Sequence, residues 1–587
     1  MKKTLLTLLI TAGSLFAFAQ WSDNPLENNR ITPLKAGIYD NEIKMAKNGT
    51  SFIAFSRPLE GNIATFLQIV DKNGIMLFPE EGKLISHKNT ISFTMVSDLL
   101  FVDRDGNAII AVPDCRNSIG LDLGYSLYKV SPTGEMLWGE DGIDLARGNS
   151  FYLVHNMKIS QIEDGSYVCA WGITEWDERS YIQMQRISQT GELLWKDEEA
   201  RLYSSSFDYE YPYLVSAGNN QVILIFSRGG GRHLTARKID FDASSVWAED
   251  LVIYRGGYTI PPLWVIIKVI SDQMGGAFVG WYDDRNNDLK ESTYVAHITT
   301  DGKFGFASGE GGERVGYNDY LRGFAPAMYF NKLENALYVA WRETSSGQSW
   351  QQMTAQKIKI PTGELMWNSN GLEVSPLTEN HSIGFYAIQG NGRDNVAIAF
   401  TSCTWDPQYF YGWDINNIML LNSKGEYVWD DKIIKFSTAV GYKGDLNLTP
   451  VVDENFWVAA WGDERKIEGD PNGSRKIYLQ RINVDGTLGD NGINIKLFNP
   501  LETSFAVFPT VINGYAEFHI NAEKSCNAEL IIYSMMGQKM ETVFLGSLHN
   551  GDNVISWNSP KNSLSKGIYL ATLNLGNGIK SLKIIIN

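Results

Sequence analysis

Cysteine is scarce in this chain, with four residues in 587: Cys115, Cys169, Cys403 and Cys526. None of them forms a C-x-x-C pair, which argues against a zinc site, and we expect them to be mostly buried small apolar side chains. The sequence also lacks an H-E-x-x-H zinc-protease motif, a G-x-S-x-G nucleophile elbow and a phosphate-binding P-loop. It therefore predicts no bound metal and no cofactor.

Positive charge and long apolar runs are also limited. The 51 Lys and Arg residues stand against 67 Asp and Glu, a net charge of −16, which argues against a nucleic-acid partner. No run of 18 apolar residues follows the first twenty, so no transmembrane segment is expected.

The first twenty residues have the pattern of a secretory signal peptide. Lys2 and Lys3 precede an apolar stretch over residues 5–18, and Ala17 and Ala19 flank a small-x-small cleavage site. We expect residues 1–19 to be removed, and the mature chain to be secreted or attached to the outer cell surface.

A repeat of about sixty residues runs through most of the chain. Its clearest copies read Thr-Gly-Glu-Met-Leu-Trp at Gly134, Thr-Gly-Glu-Leu-Leu-Trp at Gly191 and Thr-Gly-Glu-Leu-Met-Trp at Gly363. A fourth clear copy and four weaker ones centre on Gly425, Gly74, Ala243, Gly302 and Gly486. About twenty residues before each centre lies a short apolar run that ends in an aromatic or apolar residue, such as Trp281 or Trp461.

Each repeat has room for four short strands separated by turn residues, the pattern of an antiparallel meander. Eight such units predict an all-β fold, an eight-bladed β-propeller over residues 20–497; seven blades is the alternative if one weak unit is degenerate. Residues 21–31 resemble the fourth strand of a unit. We expect them to complete the last blade, whose own fourth segment lacks the tryptophan.

The pattern changes near residue 499, and a linker at 498–503 is expected to lead into a small Ig-like β-sandwich over residues 504–587. This tail contains Phe508-Pro509, Ile532-Tyr533 four residues before Gly537, Leu564 before Gly567 and Tyr569, and a final Lys583 followed by isoleucines. In this order the motifs resemble the type A C-terminal sorting domain of the type IX secretion system of Bacteroidetes, although Pro509-Thr510 stands where that family often has Pro-Asn-Pro. The resemblance implies export by the type IX machinery, removal of the tail and attachment to surface lipopolysaccharide.

Charged residues recur in the loops that follow the second strand of several units. The loops carry Asp283, Asp284 and Arg285 in one unit, Asp463, Glu464 and Arg465 in another, and Trp176, Asp177 and Arg179 in a third. The repetition favours a structural role, in which the arginine bridges a carboxylate and loop carbonyls. The other interpretation is a ring of charges that binds a polar ligand on this face.

One of these loops is not repeated elsewhere and is rich in aromatic residues. It contains Trp405, Tyr409, Tyr411 and Trp413. Exposed rings beside polar groups are typical of sugar or peptide binding, while packing on neighbouring loops is the alternative.

The sequence favours a non-catalytic binding protein for a glycan, peptide or protein, with no catalytic residue assigned. One alternative is a glycan-active hydrolase or lyase that uses two loop carboxylates. The other is a structural cell-surface protein.

Overall fold

The computed structural model describes residues 21–88, 100–116, 124–147, 152–175, 179–196, 200–229, 233–256, 267–379, 381–406, 411–453, 455–490, 504–522, 525–534, 538–558, 564–575 and 579–587. The chain forms two compact units, residues 1–490 and 491–587. Within the described parts, strands and turns account for the regular structure, and no helix there is long and apolar enough to cross a membrane.

The first unit begins with β1 (Asn29–Arg30), and four sheets follow in chain order. The first sheet contains β2 (Asp40–Met45), β3 (Ser51–Leu59), β4 (Asn62–Val70) and β5 (Lys83–Ser86). The second contains β6 (Leu100–Val102), β7 (Ala108–Asp114), β8 (Gly124–Val130) and β9 (Ile143–Arg147). The third contains β10 (Tyr152–Gln161), β11 (Tyr167–Glu175), β12 (Tyr181–Ile187) and β13 (Arg201–Leu202), and the fourth contains β14 (Tyr209–Ser216), β15 (Val222–Arg228), β16 (His233–Ile239) and β17 (Leu251–Arg255).

Four more sheets complete this unit. The fifth contains β18 (Lys268–Ser271), β19 (Ala277–Asp283), β20 (Ser292–Ile298) and β21 (Glu313–Arg314). In the sixth, β22 (Arg322–Gly323) and β23 (Ala327–Asn331) both pair with β24 (Ala336–Thr344), which is followed by β25 (Trp350–Lys359) and β26 (Leu372–Glu379). The seventh contains β27 (His381–Gly390), β28 (Val396–Asp406), β29 (Tyr411–Leu421) and β30 (Ile433–Ser437), and the eighth contains β31 (Lys443–Leu448), β32 (Phe456–Asp463), β33 (Lys476–Asn483) and β1.

The sheets close into a ring around a common axis. The first strand of one sheet contacts the first strand of the next along most of the chain, and β31 of the last sheet contacts β2 of the first. The second strands are buried on both faces, as in β7 and β32, because a neighbouring sheet covers each side. The fold is therefore a β-propeller, in which the first strands are innermost.

The N-terminal segment completes the last blade, as the sequence predicted. In β1, Asn29 and Arg30 pair antiparallel with Leu479 and Tyr478 of β33. Trp21 packs in the apolar cluster that joins the last blade to the first. The two ends of the propeller are thus held together by backbone hydrogen bonds and by burial.

The tryptophan of the repeated turn has a defined role between blades. Its indole N–H donates to a backbone carbonyl in the equivalent turn of the next blade. The pairs are Trp138 to Gln189 (3.0 Å), Trp195 to Phe241 (2.8 Å), Trp247 to Thr300 (3.1 Å), Trp367 to Ser423 (3.3 Å) and Trp429 to Val484 (3.0 Å). Trp21 makes the same contact from the last blade to the first, with Lys72 at 3.0 Å. We call this set the turn-Trp contacts.

The glycine of the repeated turn makes room for that aromatic ring. Gly302 has a φ of +74°, a region that residues with a Cβ rarely adopt, and a Cβ there would lie 2.8 Å from the ring of Trp247. Glycine and tryptophan therefore recur together because each blade packs its ring on the turn of the next.

The second unit contains a three-stranded and a five-stranded sheet. The first is formed by β34 (Ser504–Phe508), β36 (Tyr515–Ala522) and β39 (Gly551–Asn558). The second is formed by β35 (Val511–Ile512), β37 (Cys526–Ser534), β38 (Lys539–Leu548), β40 (Gly567–Asn574) and β41 (Ile579–Ile586). Several motif residues of the tail, including Ile532, Tyr569 and Ile584, lie in its apolar core.

Candidate functional site

Among the described residues, three blades carry an ion-paired Asp-x-Arg sequence at the end of the second strand: Asp114 with Arg116, Asp283 with Arg285, and Asp463 with Arg465. All three carboxylate side chains are fully buried, at 0% exposure. Each arginine also donates to a carbonyl just before the fourth strand of its blade, namely those of Asp141 (3.1 Å), Gly311 (3.0 Å) and Leu26 (2.8 Å). The pair therefore ties the end of the second strand to the start of the fourth.

Asp283 shows how the hydrogen-bonding capacity of such a carboxylate is satisfied within the protein. It accepts hydrogen bonds from Nε and Nη2 of Arg285 at 2.9 and 2.8 Å and from the indole of Trp281 at 2.8 Å. The guanidinium of Arg285 also lies 3.3 Å from the ring centre of Tyr294, a cation–π contact.

Asp463 has the same arrangement in the last blade. Burial acts to raise the pKa of this carboxyl group, but hydrogen bonds from Arg465 and Trp461 and the charge of Lys443 outweigh it and hold the pKa below its usual value. The geometry matches the structural interpretation of these residues, since neither Asp283 nor Asp463 presents its carboxylate to solvent.

The remaining predicted charges occupy different surroundings. Asp284 is buried and accepts the backbone N–H groups of Asp288 and Leu289 at 3.0 and 2.9 Å. Glu464 is exposed, and the half-exposed Arg179 pairs with Asp208 at 3.1 Å. Trp176 and Asp177 lie outside the described residues.

The aromatic loop is described only in part. Its backbone forms the end of a long hairpin, in which Trp405 pairs with Gly412 and Trp413 pairs with Thr404. Tyr409 lies outside the described residues, and Tyr411 is described only as backbone at the start of β29. β28 and β29 have eleven residues each, and no other described strand of the propeller is longer.

Exposed aromatic side chains concentrate at one end of the propeller. We define the loop face as the end formed by the loops between second and third strands and by the connections between blades. Eight exposed aromatic residues of the described propeller lie there or beside it: Tyr39, Tyr203, Phe207, Tyr317, Tyr320, Trp350, Phe385 and Tyr442. At the opposite end the exposed turn residues are aliphatic, as with Leu77, Leu137 and Leu193, apart from Phe241.

The sequence did not predict a cluster of titratable side chains on the loop face, formed by Asp208, Glu210 and His155. Burial and then the neighbouring charge of Asp208 raise the pKa of Glu210, while Asp208 accepts the Ser180 N–H at 3.0 Å and pairs with Arg179. Close by, burial lowers the pKa of His155 to about 4. The acidic and aromatic run from Phe207 to Tyr211 is the signal that could have drawn attention to this place.

A cavity of about 240 Å³ lies on the axis, against the inner strands of the first five blades. Glu42 is the carboxylate among its described lining residues. It pairs with Lys44 at 2.6 Å and accepts the Leu100 N–H at 2.9 Å. Within the described residues, no group of three or more His, Cys, Asp or Glu side chains is placed to hold a metal ion.

Comparisons with known proteins assign no family. No family model matches the chain, and no curated protein matches it. Similar solved structures include the polysaccharide lyase Uly1, with 9% identity over 68% of this chain and 93% of that one and a TM-score of 0.37. They also include the α-L-arabinofuranosidase Arb93A from Fusarium graminearum, with 11% identity over 64% and 93% of the two chains and a TM-score of 0.29, and a GH43 β-1,3-galactosidase, with 10% over 68% and 93% and a TM-score of 0.25. Likenesses at this level carry no argument about activity.

Proposed function

We propose that this chain is an exported, non-catalytic binding protein that holds a glycan, peptide or protein on its loop face. One observation carries the proposal. Exposed aromatic side chains lie on or beside the loop face, whereas the exposed turn residues at the opposite end are aliphatic apart from Phe241. Aromatic rings offer large, rigid contact areas with polar edges, and they are the side chains that most often anchor bound ligands.

The axial cavity and the Asp-x-Arg pairs support binding rather than catalysis. A glycosidase needs two carboxylates about 5–10 Å apart across the scissile bond. Among the described residues, the cavity wall supplies Glu42, which is engaged with Lys44 and Leu100, and the buried pairs hold their carboxylates away from solvent.

A glycan and peptide array with the chain from residue 20 to 587 tests the binding function. We expect the doubly substituted Tyr317→Ala/Tyr320→Ala and Trp405→Ala/Trp413→Ala proteins to lose at least tenfold in affinity for whatever the parent binds. Phe241→Ala is the matched control, because it removes an exposed ring at the opposite end. Equal losses in the control, or no loss in either loop-face protein, would contradict the proposal.

The second unit is proposed to be the type IX sorting domain that the tail motifs resemble. The burial of Tyr569 and Ile584 in its core explains these two motif positions physically. We expect residues 504–587, fused to a periplasmic reporter, to carry the reporter to the cell surface and to be cleaved off in a host with a type IX system. Retention of the fusion in that host, or equal release from a host without the system, would exclude this role.

Glycan hydrolysis is the second candidate, and Glu210 with Asp208 is the observation that favours it. A carboxyl group with a raised pKa beside one held by an arginine is a common acid–base arrangement. If this candidate is right, glycans incubated with the protein release reducing ends and Glu210→Gln abolishes the release. Binding without any release that depends on Glu210 would remove it.

A further inference from the structure

The axial cavity is lined by side chains at one level of the ring. Glu42, Lys158, Tyr213 and Lys268 pair with Ala54, Ala170, Ile225 and Gly280 on their own second strands. Each of these partners immediately precedes the repeated aromatic or its equivalent (Phe55, Trp171, Phe226 and Trp281). The four lining residues therefore occupy the same position in four different repeats.

The charge at this level is opposite to that of the whole protein. Lys44, Lys158 and Lys268 line the cavity, against the carboxylate of Glu42, whereas the full chain carries a net charge of −16. A recess that carries a net charge between low-dielectric walls concentrates ions of the opposite sign.

The cavity also offers aromatic surface next to the ammonium groups. Tyr213 and Phe101 contribute to its wall, and Nζ of Lys158 lies 5.4 Å from the ring centre of Tyr213. A sugar ring can pack its C–H face on an aromatic ring while an acidic substituent meets the ammonium groups. The volume of about 240 Å³ lies just below the roughly 300–1,000 Å³ of ordinary ligand pockets, which suits one terminal sugar unit better than a long chain.

We propose that the axial cavity binds a negatively charged sugar unit, such as a uronate, at the end of a glycan. This inference rests on the proposed binding function and specifies the ligand class for one site. An extended acidic peptide matches the cavity less well. The described wall combines aromatic rings, on which a sugar ring can stack, with the ammonium groups of lysines.

Calorimetry with the mature chain at low salt tests the proposal directly. The probes are digalacturonate, a sulfated disaccharide, neutral cellobiose and triglutamate. We expect digalacturonate to bind, its affinity to fall as salt rises, and cellobiose not to bind. The sulfated probe shows whether the site requires a carboxylate or accepts any acidic sugar.

The doubly substituted Lys158→Gln/Lys268→Gln protein is expected to lose at least tenfold in affinity for digalacturonate, and Lys158→Arg/Lys268→Arg is expected to keep most of it. Lys303→Gln is the matched control, since its side chain is 77% exposed on a turn away from the axis. A thermal melt of each protein separates loss of binding from loss of folding.

Three results would overturn the inference: no binding of any acidic sugar, equal affinity in the parent and the Lys→Gln protein, or binding of triglutamate alone. A ligand found on the array that is lost in the Tyr317→Ala/Tyr320→Ala protein but retained in the Lys→Gln protein would leave the loop-face function standing. The two proposals can therefore fail separately.

Discussion

Arg465 donates to the carbonyls of Leu26 and Glu27 and to the side chain of Asn28, residues more than four hundred positions earlier in the chain. In the fifth blade the equivalent Arg285 reaches a carbonyl of its own blade, at Gly311. The same residue type thus binds a nearby strand in the fifth blade and the N-terminal segment around residues 26–28 in the last blade. The sequence repeat predicted a structural arginine, but the distant partner becomes visible only in the fold.

Replacement of Arg465 by Ala is expected to destabilise the propeller more than an ordinary ion-pair deletion. It leaves the buried carboxylate of Asp463 without its bidentate partner, a change that costs about 3–5 kcal/mol in buried pairs. Lys443, whose Nζ lies 3.7 Å from that carboxylate, remains in place. We therefore expect a loss of stability near the lower end of that range. Denaturant unfolding measures the difference.

Arg179→Ala is the control for that experiment, because its pair with Asp208 is half exposed and such pairs contribute less than about 1 kcal/mol. Similar losses in the two variants would show that the burial of the last blade's pair has no energetic importance.

His155 predicts an acid-sensitive part of the stability. Burial lowers its pKa to about 4 from about 6.5, so the unfolded chain takes up a proton at a higher pH than the folded chain does. The stabilising contribution is present above pH 6.5 and is lost as the pH falls towards 4, at no more than about 1.4 kcal/mol per pH unit. The facing groups are Thr174, Asn156, Tyr211 and the nearby Glu210, whose raised pKa acts in the opposite direction.

Unfolding free energies of the parent and of His155→Gln should therefore converge between pH 6.5 and 4. The comparison cancels the contributions of the other titrating groups. A difference that stays constant across this range would refute the assignment.

Among the structural elements, the repeated turn is the one that the sequence describes best. The turn tryptophan recurs because in most blades its indole meets a backbone carbonyl in the turn of the next blade, and so similar residues are required each time. The inner strands are different: Glu42, Lys158, Tyr213 and Lys268 share a position but no chemistry. Bulges between His155 and Lys158 and between Glu210 and Tyr213 also break the period-two pattern, so the axial level could not be aligned from the sequence.

The turn-Trp contacts lead to a graded prediction for Trp429. In two blades a phenylalanine, Phe78 or Phe306, stands at the equivalent turn position. Trp429→Phe is therefore expected to keep the packing and lose about 1 kcal/mol with the hydrogen bond to Val484. Trp429→Ala also removes the ring and should lose about 3–5 kcal/mol.

Thermal and denaturant melts of the two proteins distinguish these contributions. Equal losses would mean that the indole hydrogen bond, rather than packing, accounts for the recurrence of the residue. If neither substitution lowers the stability of the protein, the turn-Trp contact does not contribute to stability.

At the scale of the whole molecule, the ring is closed by residues from both ends of the propeller. The backbone N–H of Trp21 donates to Asp490 at 3.1 Å, and β1 covers the edge of β33. An uncovered edge strand offers unpaired backbone groups to other chains. The sequence predicted this closure because residues 21–31 supply the tryptophan and strand that the last repeat lacks.

Deletion of residues 21–31 should therefore produce a protein that aggregates or melts without a sharp transition.

A permuted propeller, in which residue 490 is joined to residue 21 by a short Gly-Ser linker and the chain is opened after Leu34, should melt as cooperatively as residues 21–490 do. Size-exclusion chromatography and calorimetry measure both outcomes. A deleted protein that stays monomeric and melts sharply would show that the closure is dispensable.

The shared last blade also sets an order of events during synthesis. Residues 21–31 emerge early, whereas the strands that they must join, β31 to β33, emerge more than four hundred residues later. Until those strands are synthesised, β1 lacks its partner β33 and the first sheet lacks its neighbour β31. A chain that ends before β33 leaves β1 without its partner strand, so the position of this one small strand makes synthesis through β33 a condition for a closed propeller.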